Sequence, residues 1–118
     1  MTALGDPPVD QQRVADDVDC PLSIEVHTSG ASATLVLEGC LDISTSATFV
    51  AVADQIDPGF STISVDLSAV TFIDSTGVGL LVKTKRNLAS NFRTMWLINP
   101  SERARFVLEL TGLGELIA

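Results

Sequence analysis

The hydrophobic pattern between Ile63 and Leu88 changes its period within a few residues. Ile63, Val65 and Leu67 alternate with polar residues, which is the pattern of a strand with one apolar face. Beyond the segment Asp74-Ser75-Thr76-Gly77, the apolar residues follow the period of a helix instead. The sequence therefore predicts a buried strand, a tight turn that carries Ser75, and an amphipathic helix. The apolar residues of that helix are Val78, Leu81, Val82 and Leu88.

Short alternating segments on either side of this unit predict an α/β fold. Strands are predicted at residues 22–28, 33–38 and 94–98, and a last strand is predicted to begin at residue 115. Because the segment 94–98 is strongly apolar, Trp96 is expected to be packed. The order β-β-α-β-α-β-α-(β) indicates a mixed sheet of four or five strands, with parallel βαβ units and helices packed on it.

Two further helices are predicted from capping residues and apolar spacing. The first runs from Ser44 or Thr45 to Ile56. The second begins after Asn99, its predicted N-cap, and ends at Gly112. The residues predicted to face the core are Ala47, Val50, Ala51 and Ile56 in the first helix, and Phe106, Val107 and Leu110 in the second.

Negative charge is concentrated in one part of the chain. The net charge is −8, and the segment from Cys20 to Val82 contains seven carboxylates but no lysine or arginine. An acidic surface repels the phosphate backbone, so direct binding to nucleic acid is not expected. A protein that docks on this segment should present basic residues, although acidic character that only supports solubility is an equal alternative. The carboxylates are Glu25, Glu38, Asp42, Asp54, Asp57, Asp66 and Asp74.

The N-terminal segment differs in composition from the rest of the chain. Residues 1–19 contain five aspartates and two adjacent prolines, which is typical of a disordered acidic tail, and residues 20–118 are predicted to form one domain. No apolar run approaches the roughly 18 residues that a membrane span needs, and the N-terminus lacks the pattern of a signal peptide. We therefore expect a cytoplasmic protein without a membrane partner.

The two cysteines, Cys20 and Cys40, are too few for a disulfide scaffold. The favoured interpretation is that both are reduced and fill space as small apolar side chains. A redox pair is the second interpretation, and the sequence does not exclude it.

Three interpretations of Ser75 compete. Ser75 or Thr76 can be a simple N-cap, with Gly77 relaxing the turn and Asp74 favouring the positive end of the helix. A nucleophilic serine lacks partners, because there is no G-x-S-x-G elbow and the only histidine, His27, lies in the first hairpin. The third interpretation is that Ser75 accepts a phosphoryl group from another protein, which supplies ATP, metal and base.

No other motif indicates catalysis or a resident cofactor. A G-x-x-x-x-G-K-[ST] phosphate loop is missing, and His27 has no cysteine or histidine at metal-ligand spacing. We therefore expect a protein that is not an enzyme and holds no cofactor or metal. Asp42 has two open interpretations: it is either a turn or capping residue, or a neighbour of the Ser75 turn at the same edge of the sheet.

Three segments resemble one protein family. The stretch V-D-L-S-A-V-T-F-I-D-S-T-G-V-G-L-L-V at residues 65–82 resembles the signature of STAS-domain anti-sigma factor antagonists. Gly39-x-Leu41-Asp42 resembles the G-E-L-D loop of that family, and Asn99-Pro100 with Leu110-Thr111-Gly112-Leu113 resembles its later helix. The three segments occur in the family's order and together span about residues 22–118.

The resemblance implies a STAS-like α/β domain that regulates bacterial transcription, as in stress responses. It implies that the unphosphorylated form binds an anti-sigma factor with serine kinase activity and so frees a sigma factor. Phosphorylation of Ser75 would break that complex, and a serine phosphatase would reset it. The residues that match the family's partner-binding positions are Asp42, Asp74, Ser75, Thr76 and Gly77.

An alternative within the same family is a STAS sensory module. Such a module would bind a nucleotide or another anion at the Ser75 helix terminus, or would respond to a redox signal through Cys40. Cys40 stands where the family usually has glutamate, which removes one charge and places a thiol near the Ser75 turn. In the family, the chain continues after its last strand with a helix, whereas this sequence stops at Ala118. We therefore expect an exposed sheet edge here.

Overall fold

A computed structural model describes residues 20–118, so the predicted tail at residues 1–19 lies outside the described residues. The sheet has four strands: β1 (Leu22–Ser29), β2 (Ser32–Leu41), β3 (Thr62–Ile73) and β4 (Thr94–Ile98). Their order across the sheet is β1-β2-β3-β4. β1 runs antiparallel to β2, whereas β2, β3 and β4 are parallel to one another. The mixed α/β sheet predicted from the sequence is therefore confirmed, with four strands.

Three α-helices connect and follow these strands: α1 (Ser46–Asp54), α2 (Ser75–Ala89) and α3 (Glu102–Leu110). α1 and α2 contact each other, α1 lies against β1, and α2 lies against β3 and β4. α3 packs on β3. Within residues 20–118, none of these helices is long and apolar enough to cross a bilayer.

The core lies between the inward faces of β2 and β3 and the helices. Ile63, Val65 and Leu67 of β3 are fully buried, as their alternation with polar residues predicts. In α2, Val78 and Leu81 are buried while Val82 and Leu88 are half-buried, which confirms the predicted inner stripe. The other large core side chains are Leu35, Leu37, Leu41, Phe49, Val70, Ile73, Met95, Leu97 and Leu108.

The predicted inner face of α1 is wrong. Ala47, Val50 and Ala51 are exposed, whereas Phe49 is completely buried. Only Ile56, just after the helix, packs against the core as predicted. α1 has nine residues, so its apolar spacing fits more than one face, and burial of the large Phe49 ring decides the rotation.

The predicted cap of α3 is also wrong, and of its predicted inner face only Val107 packs against the core. Ser101, not Asn99, is the N-cap, and its hydroxyl oxygen accepts a hydrogen bond from the N–H of Ala104 at 3.1 Å. The Ser101 N–H also donates to the carbonyl of Leu67 at 3.1 Å, and its hydroxyl donates to the carbonyl of Val70 at 2.7 Å. These bonds fix α3 on the edge of β3 beyond the end of β4. Ala104 and Leu108 consequently face the core, while Phe106 and Leu110 are exposed and Val107 is half-buried.

The outer side of β4 is open to solvent. Trp96 is 42% exposed, so the prediction that it is packed is wrong, because the neighbouring helix α2 covers only the face that carries Met95 and Leu97. The predicted last strand is replaced by a 3-10 turn at Gly114–Leu116. A single parallel bridge between Ile117 and Leu97 then covers part of the free edge of β4.

The two cysteines form a disulfide, so the prediction that they are reduced is wrong. Cys20 precedes β1, Cys40 lies near the end of β2, and their Cα atoms are 5.6 Å apart. The antiparallel register, which pairs Leu22 with Gly39, brings the two cysteines together. This register is a long-range feature that a spacing of twenty residues does not reveal. Closing a loop of this length stabilises a fold by about 3 kcal/mol in the chain-entropy description.

The β3 carboxylate Asp66 stabilises the turn between β4 and α3. One of its oxygens accepts hydrogen bonds from the backbone and hydroxyl of Ser68 at 2.9 and 2.7 Å, and the other accepts from the Asn99 amide at 3.1 Å. Burial raises the pKa of Asp66, but these hydrogen bonds outweigh it and hold the pKa below the ordinary value of 3.8. Asn99 takes a left-handed φ of 49° at this position.

We expect Asp66→Asn to lower the melting temperature at neutral pH, and the difference from the wild type to disappear in acid. Because the folded-state pKa of Asp66 lies below its unfolded value, its contribution is present above the unfolded pKa and is lost as the pH falls through the folded pKa. Thermal melts of both proteins between neutral pH and well below pH 3.8 measure this. Asp54→Asn, at an exposed position in α1, is the control for loss of one charge. If the difference in melting temperature between Asp66→Asn and the wild type did not change with pH, the lowered pKa of Asp66 would not explain its contribution to stability.

Candidate functional site

Two turns meet at the carboxyl edge of the parallel strands. Leu41 and Ile73 are register partners on β2 and β3, so the next residues, Asp42 and Asp74, leave neighbouring strands at the same edge. Adjacent strands are about 4.8 Å apart. The register therefore places Asp42 beside the Ser75 turn.

Gly77 allows the first turn of α2 to lie directly against the end of β2. A Cβ atom at this position would overlap the carbonyl oxygen of Leu41 and would lie 3.0 Å from the side chain of Ile73. The backbone of Gly77 is ordinary helix without a positive φ. The predicted role of Gly77 as a residue that relaxes the turn is therefore wrong: glycine is needed here for close packing.

Asp74, not Ser75 or Thr76, is the N-cap of α2. Its backbone is extended, and its carboxylate accepts a hydrogen bond from the N–H of Gly77 at 2.9 Å. Ser75 and Thr76 are the first residues of the helix and are exposed. Among residues 20–118, no hydrogen-bond partner of either hydroxyl is found. Because Asp74 does the capping, the Ser75 hydroxyl is left free at the positive end of the helix.

The Asp42 turn is held by its own hydrogen bonds. One carboxylate oxygen of Asp42 accepts from the backbone N–H and the hydroxyl of Ser44, at 2.9 and 2.6 Å. The Thr45 hydroxyl donates to the carbonyl of Cys40 at 2.8 Å and accepts from the N–H of Asp42 at 3.1 Å. Asp42 is thus a turn residue as well as a neighbour of Ser75.

Thr45 and Ile43 also belong to this edge, although the sequence alone does not indicate a role for either. Thr45 is only 3% exposed and is the buried polar residue of the described core. Its position before α1 suggests an ordinary N-cap, yet its hydroxyl makes no cap bond and points back to Cys40 instead. Ile43 is 74% exposed beside Asp42.

The charge of this edge is negative. Asp42 and Asp74 are both partly exposed, and the segment from Cys20 to Val82 has no lysine or arginine.

On α3, Arg103 lies 5.4 Å from the centre of the Phe72 ring, a distance at which a cation and an aromatic ring attract each other.

His27 lies far from Ser75. It pairs with Thr34 of β2, seven residues before Leu41, which corresponds to about 23 Å along the strand. Its exposed ring lies 3.2 Å from the carboxylate of Glu25 instead. In the described part of the chain, Ser75 therefore lacks a histidine that could act as its base.

Known proteins are similar to most of this chain. Residues 24–118 match the family model described as Mlab, STAS domain. The anti-sigma-B factor antagonist of Staphylococcus aureus (strain NCTC 8325 / PS 47) is 32% identical over 97 residues, which cover 81% of this chain and 90% of the relative. The anti-sigma-B factor antagonist of Staphylococcus epidermidis is 31% identical over the same lengths.

Solved structures of SpoIIAA share the fold. The anti-sigma factor antagonist SpoIIAA in its unphosphorylated form has a TM-score of 0.70 at 25% identity, covering 81% of this chain and 86% of SpoIIAA. The Bacillus cell fate determinant SpoIIAA in its phosphorylated form has a TM-score of 0.64 at 25% identity, covering 81% and 89%. The mixed four-stranded sheet with three helices is thus a SpoIIAA-like fold.

We expect Gly77→Ala to destabilise the fold by about 1–3 kcal/mol, because the added methyl group must displace the Leu41 carbonyl. Gly79→Ala is the matched control, since a Cβ at Gly79 meets nothing within 4 Å in the same helix. That control should be neutral or should stabilise by about 0.5–1 kcal/mol, because alanine favours a helix over glycine. Urea unfolding of the two variants measures the difference. Equal stability of the two variants would show that the contact with Leu41 does not require glycine at position 77.

Proposed function

The chain belongs to the STAS domain family and to its anti-sigma factor antagonists, and on this premise we propose that Ser75 is its phosphorylation switch. The unphosphorylated protein binds an anti-sigma factor that is also a serine kinase, and a sigma factor is released. Phosphorylation of Ser75 ends this binding, and a serine phosphatase restores it. Binding takes place through the edge formed by Asp42, Asp74, Ser75, Thr76 and Gly77.

The observation that carries this proposal is the free hydroxyl of Ser75. A serine that capped α2 would be tied to the backbone, whereas Asp74 takes that role and Ser75 is exposed. A phosphoacceptor needs access to the active site of a kinase, and the kinase supplies ATP, metal and base. The acceptor chain itself then needs no catalytic group.

A phosphate on Ser75 would meet opposing electrostatic effects. The helix terminus favours a dianion by about 0.3–1 kcal/mol. The Asp74 carboxylate, at a separation of about 5 Å and an effective dielectric constant near 20, opposes it by on the order of 3 kcal/mol per unit charge. Repulsion is larger, but an exposed turn relaxes it by moving into solvent. We therefore expect phosphorylation to change the fold little.

The same dianion has a larger effect on a bound partner. A surface that contacts Ile43 and pairs basic residues with Asp42 and Asp74 would cover Ser75. Placing two further negative charges in that interface, without groups to pair them, costs several kcal/mol. The phosphate therefore acts on docking and not on folding. SpoIIAA exists in unphosphorylated and phosphorylated forms, which supports a switch of this kind.

Binding to an anti-sigma factor implies action in the cytoplasm, where transcription takes place. The protein then influences transcription through its partner, without direct contact with nucleic acid or a membrane. The acidic edge around Ser75 agrees with this, since it repels phosphate groups of nucleic acid and of anionic lipids alike.

Two other functions are less well supported. A hydrolase that uses Ser75 would need a base, and His27 of β1 lies beside Thr34, near the start of β2 and away from the Ser75 edge. A sensory module that binds a nucleotide or another anion at Ser75 would need a cation at that edge. Near this strand end, Arg103 of α3 lies over the ring of Phe72 instead.

Mass spectrometry after incubation with the anti-sigma factor kinase and ATP tests the proposal. We expect one phosphate on Ser75 in the wild type and in Thr76→Val, and none in Ser75→Ala. Ser75→Asp should weaken binding to the kinase about tenfold or more, because it adds an unpaired charge to the interface. Ser61→Asp, which adds the same charge at the opposite end of β3, is the control. An unmodified Ser75, or full binding by Ser75→Asp, would refute the proposal.

A further inference from the structure

We propose that the Cys20–Cys40 disulfide is redox-sensitive and controls the mobility of the Asp42 turn. Its reduction would loosen that turn and weaken docking at the Ser75 edge. The change in mobility follows from the disulfide itself, whereas the effect on docking rests on the function proposed above. The protein would thus respond to two signals at one edge: phosphorylation of Ser75 and the oxidation state of two thiols.

A continuous series of contacts joins the disulfide to the Asp42 turn. The carbonyl of Cys40 accepts the hydrogen bond of the Thr45 hydroxyl at 2.8 Å, and the oxygen of that hydroxyl accepts from the N–H of Asp42 at 3.1 Å. The residue between Cys40 and Asp42 is Leu41, whose carbonyl lies against Gly77 in the first turn of α2. A shift of the Cys40 backbone therefore reaches both turns of the site within two residues.

The disulfide also fixes the open end of the β1–β2 hairpin. Gly39 has a φ of 113°, and a Cβ there would overlap the carbonyl oxygen of Pro21, so the two chain segments lie in close contact. The N–H of Cys40 donates to the same Pro21 carbonyl at 3.3 Å. Without the disulfide, these segments are held by this hydrogen bond, by the first pairs of β1 and by burial of Leu22 in the core. The ends of strands open readily when a cross-link there is lost.

The two cysteine residues differ in their exposure. Cys40 is 5% exposed, whereas Cys20 is partly exposed and borders a surface cleft of about 420 Å³. A small thiol such as glutathione therefore attacks the sulfur of Cys20. This step breaks the bond between the two cysteines, and the leaving thiolate of Cys40 takes up a proton.

A second thiol completes the reduction. It attacks the mixed disulfide on Cys20, releases oxidised glutathione, and leaves Cys20 as a thiol. In total, two glutathione thiols lose two electrons and two protons, and the two cysteines gain them. Reoxidation by oxidised glutathione is the reverse of these steps.

The proposed location in the cytoplasm favours a disulfide that forms and breaks with the redox conditions. Disulfides in the cytoplasm are usually transient or redox-sensing, because thiol systems there keep cysteines reduced. Cys20 precedes the first strand and Cys40 lies at the end of the second, so the core between β2, β3 and the helices does not depend on their bond. The reduced domain should therefore stay folded, with a local change at one edge.

Hydrogen–deuterium exchange of the full chain, oxidised and after reduction with dithiothreitol, tests the change in mobility. We expect exchange at residues 39–45 to rise on the order of tenfold on reduction, with no change in α3 and β4. Cys20→Ser should match the reduced wild type and ignore dithiothreitol, since it removes the bond and keeps the buried Cys40 side chain. Unchanged exchange at residues 39–45, or loss of protection throughout the domain, would overturn the proposal.

Equilibration with mixtures of reduced and oxidised glutathione tests redox sensitivity. Mass spectrometry after trapping of free thiols should show a disulfide fraction that follows the ratio of the two forms and returns on reoxidation. A chain that stays fully oxidised in excess reduced glutathione would show that the disulfide is purely structural. A chain that never forms the bond would equally overturn the proposal.

The link to docking is measured last, with the anti-sigma factor kinase. Oxidised wild type should bind it several-fold more tightly than reduced wild type or Cys20→Ser, and only the wild type should respond to dithiothreitol. Equal binding by all three would refute the effect on docking. If Ser75 is never phosphorylated, the proposed function fails, while the exchange and glutathione results still decide whether the disulfide controls the turn.

Discussion

The parallel pairing of β2 with β3 is the constraint on which the rest of the site depends. It ends both strands at one level, with Leu41 opposite Ile73, so that the turns after them share an edge. The contact of the Gly77 backbone with the Leu41 carbonyl then holds α2 against β2. The backbone of one turn therefore packs directly on the backbone of the other, and a shift in one displaces the other.

The roles of Asp74 and Ser75 illustrate how one helix terminus can separate structure from regulation. Asp74 supplies the cap that α2 needs, and its neighbour is left without a structural task. A hydroxyl that makes no contribution to folding can be modified without loss of the fold. The acidic character of the edge has the same consequence for recognition, because the partner must supply the positive charge.

Strongly periodic features could be predicted from the sequence, and features that depend on long-range contacts could not. The alternation in β3 and the apolar stripe of α2 each extend over enough residues to define one face. α1 and α3 have nine residues each, too few for the spacing alone to choose a face. α3 is oriented by bonds from Ser101 to carbonyls of β3, and no local pattern contains that information.

The same distinction applies to the site. The residue types around Ser75 and Asp42 pointed to an exposed, acidic turn, and their adjacency depended on strand register. The disulfide was missed for the same reason, since the pairing of Leu22 with Gly39 determines that the cysteines meet. Thr45 looked like a cap because of its position in the sequence, and only the structure shows its hydroxyl turned towards Cys40.

The open position of Trp96 on β4 has a practical consequence. The chain has one tryptophan and no tyrosine, so its near-ultraviolet emission comes almost entirely from this half-exposed indole. Trp96 pairs with Ser64, near the beginning of β3, at the end of the sheet away from the Ser75 edge. Its fluorescence therefore reports unfolding of the sheet and should not change when a partner binds at the Ser75 edge. Binding there can then be followed separately, through a label on the partner.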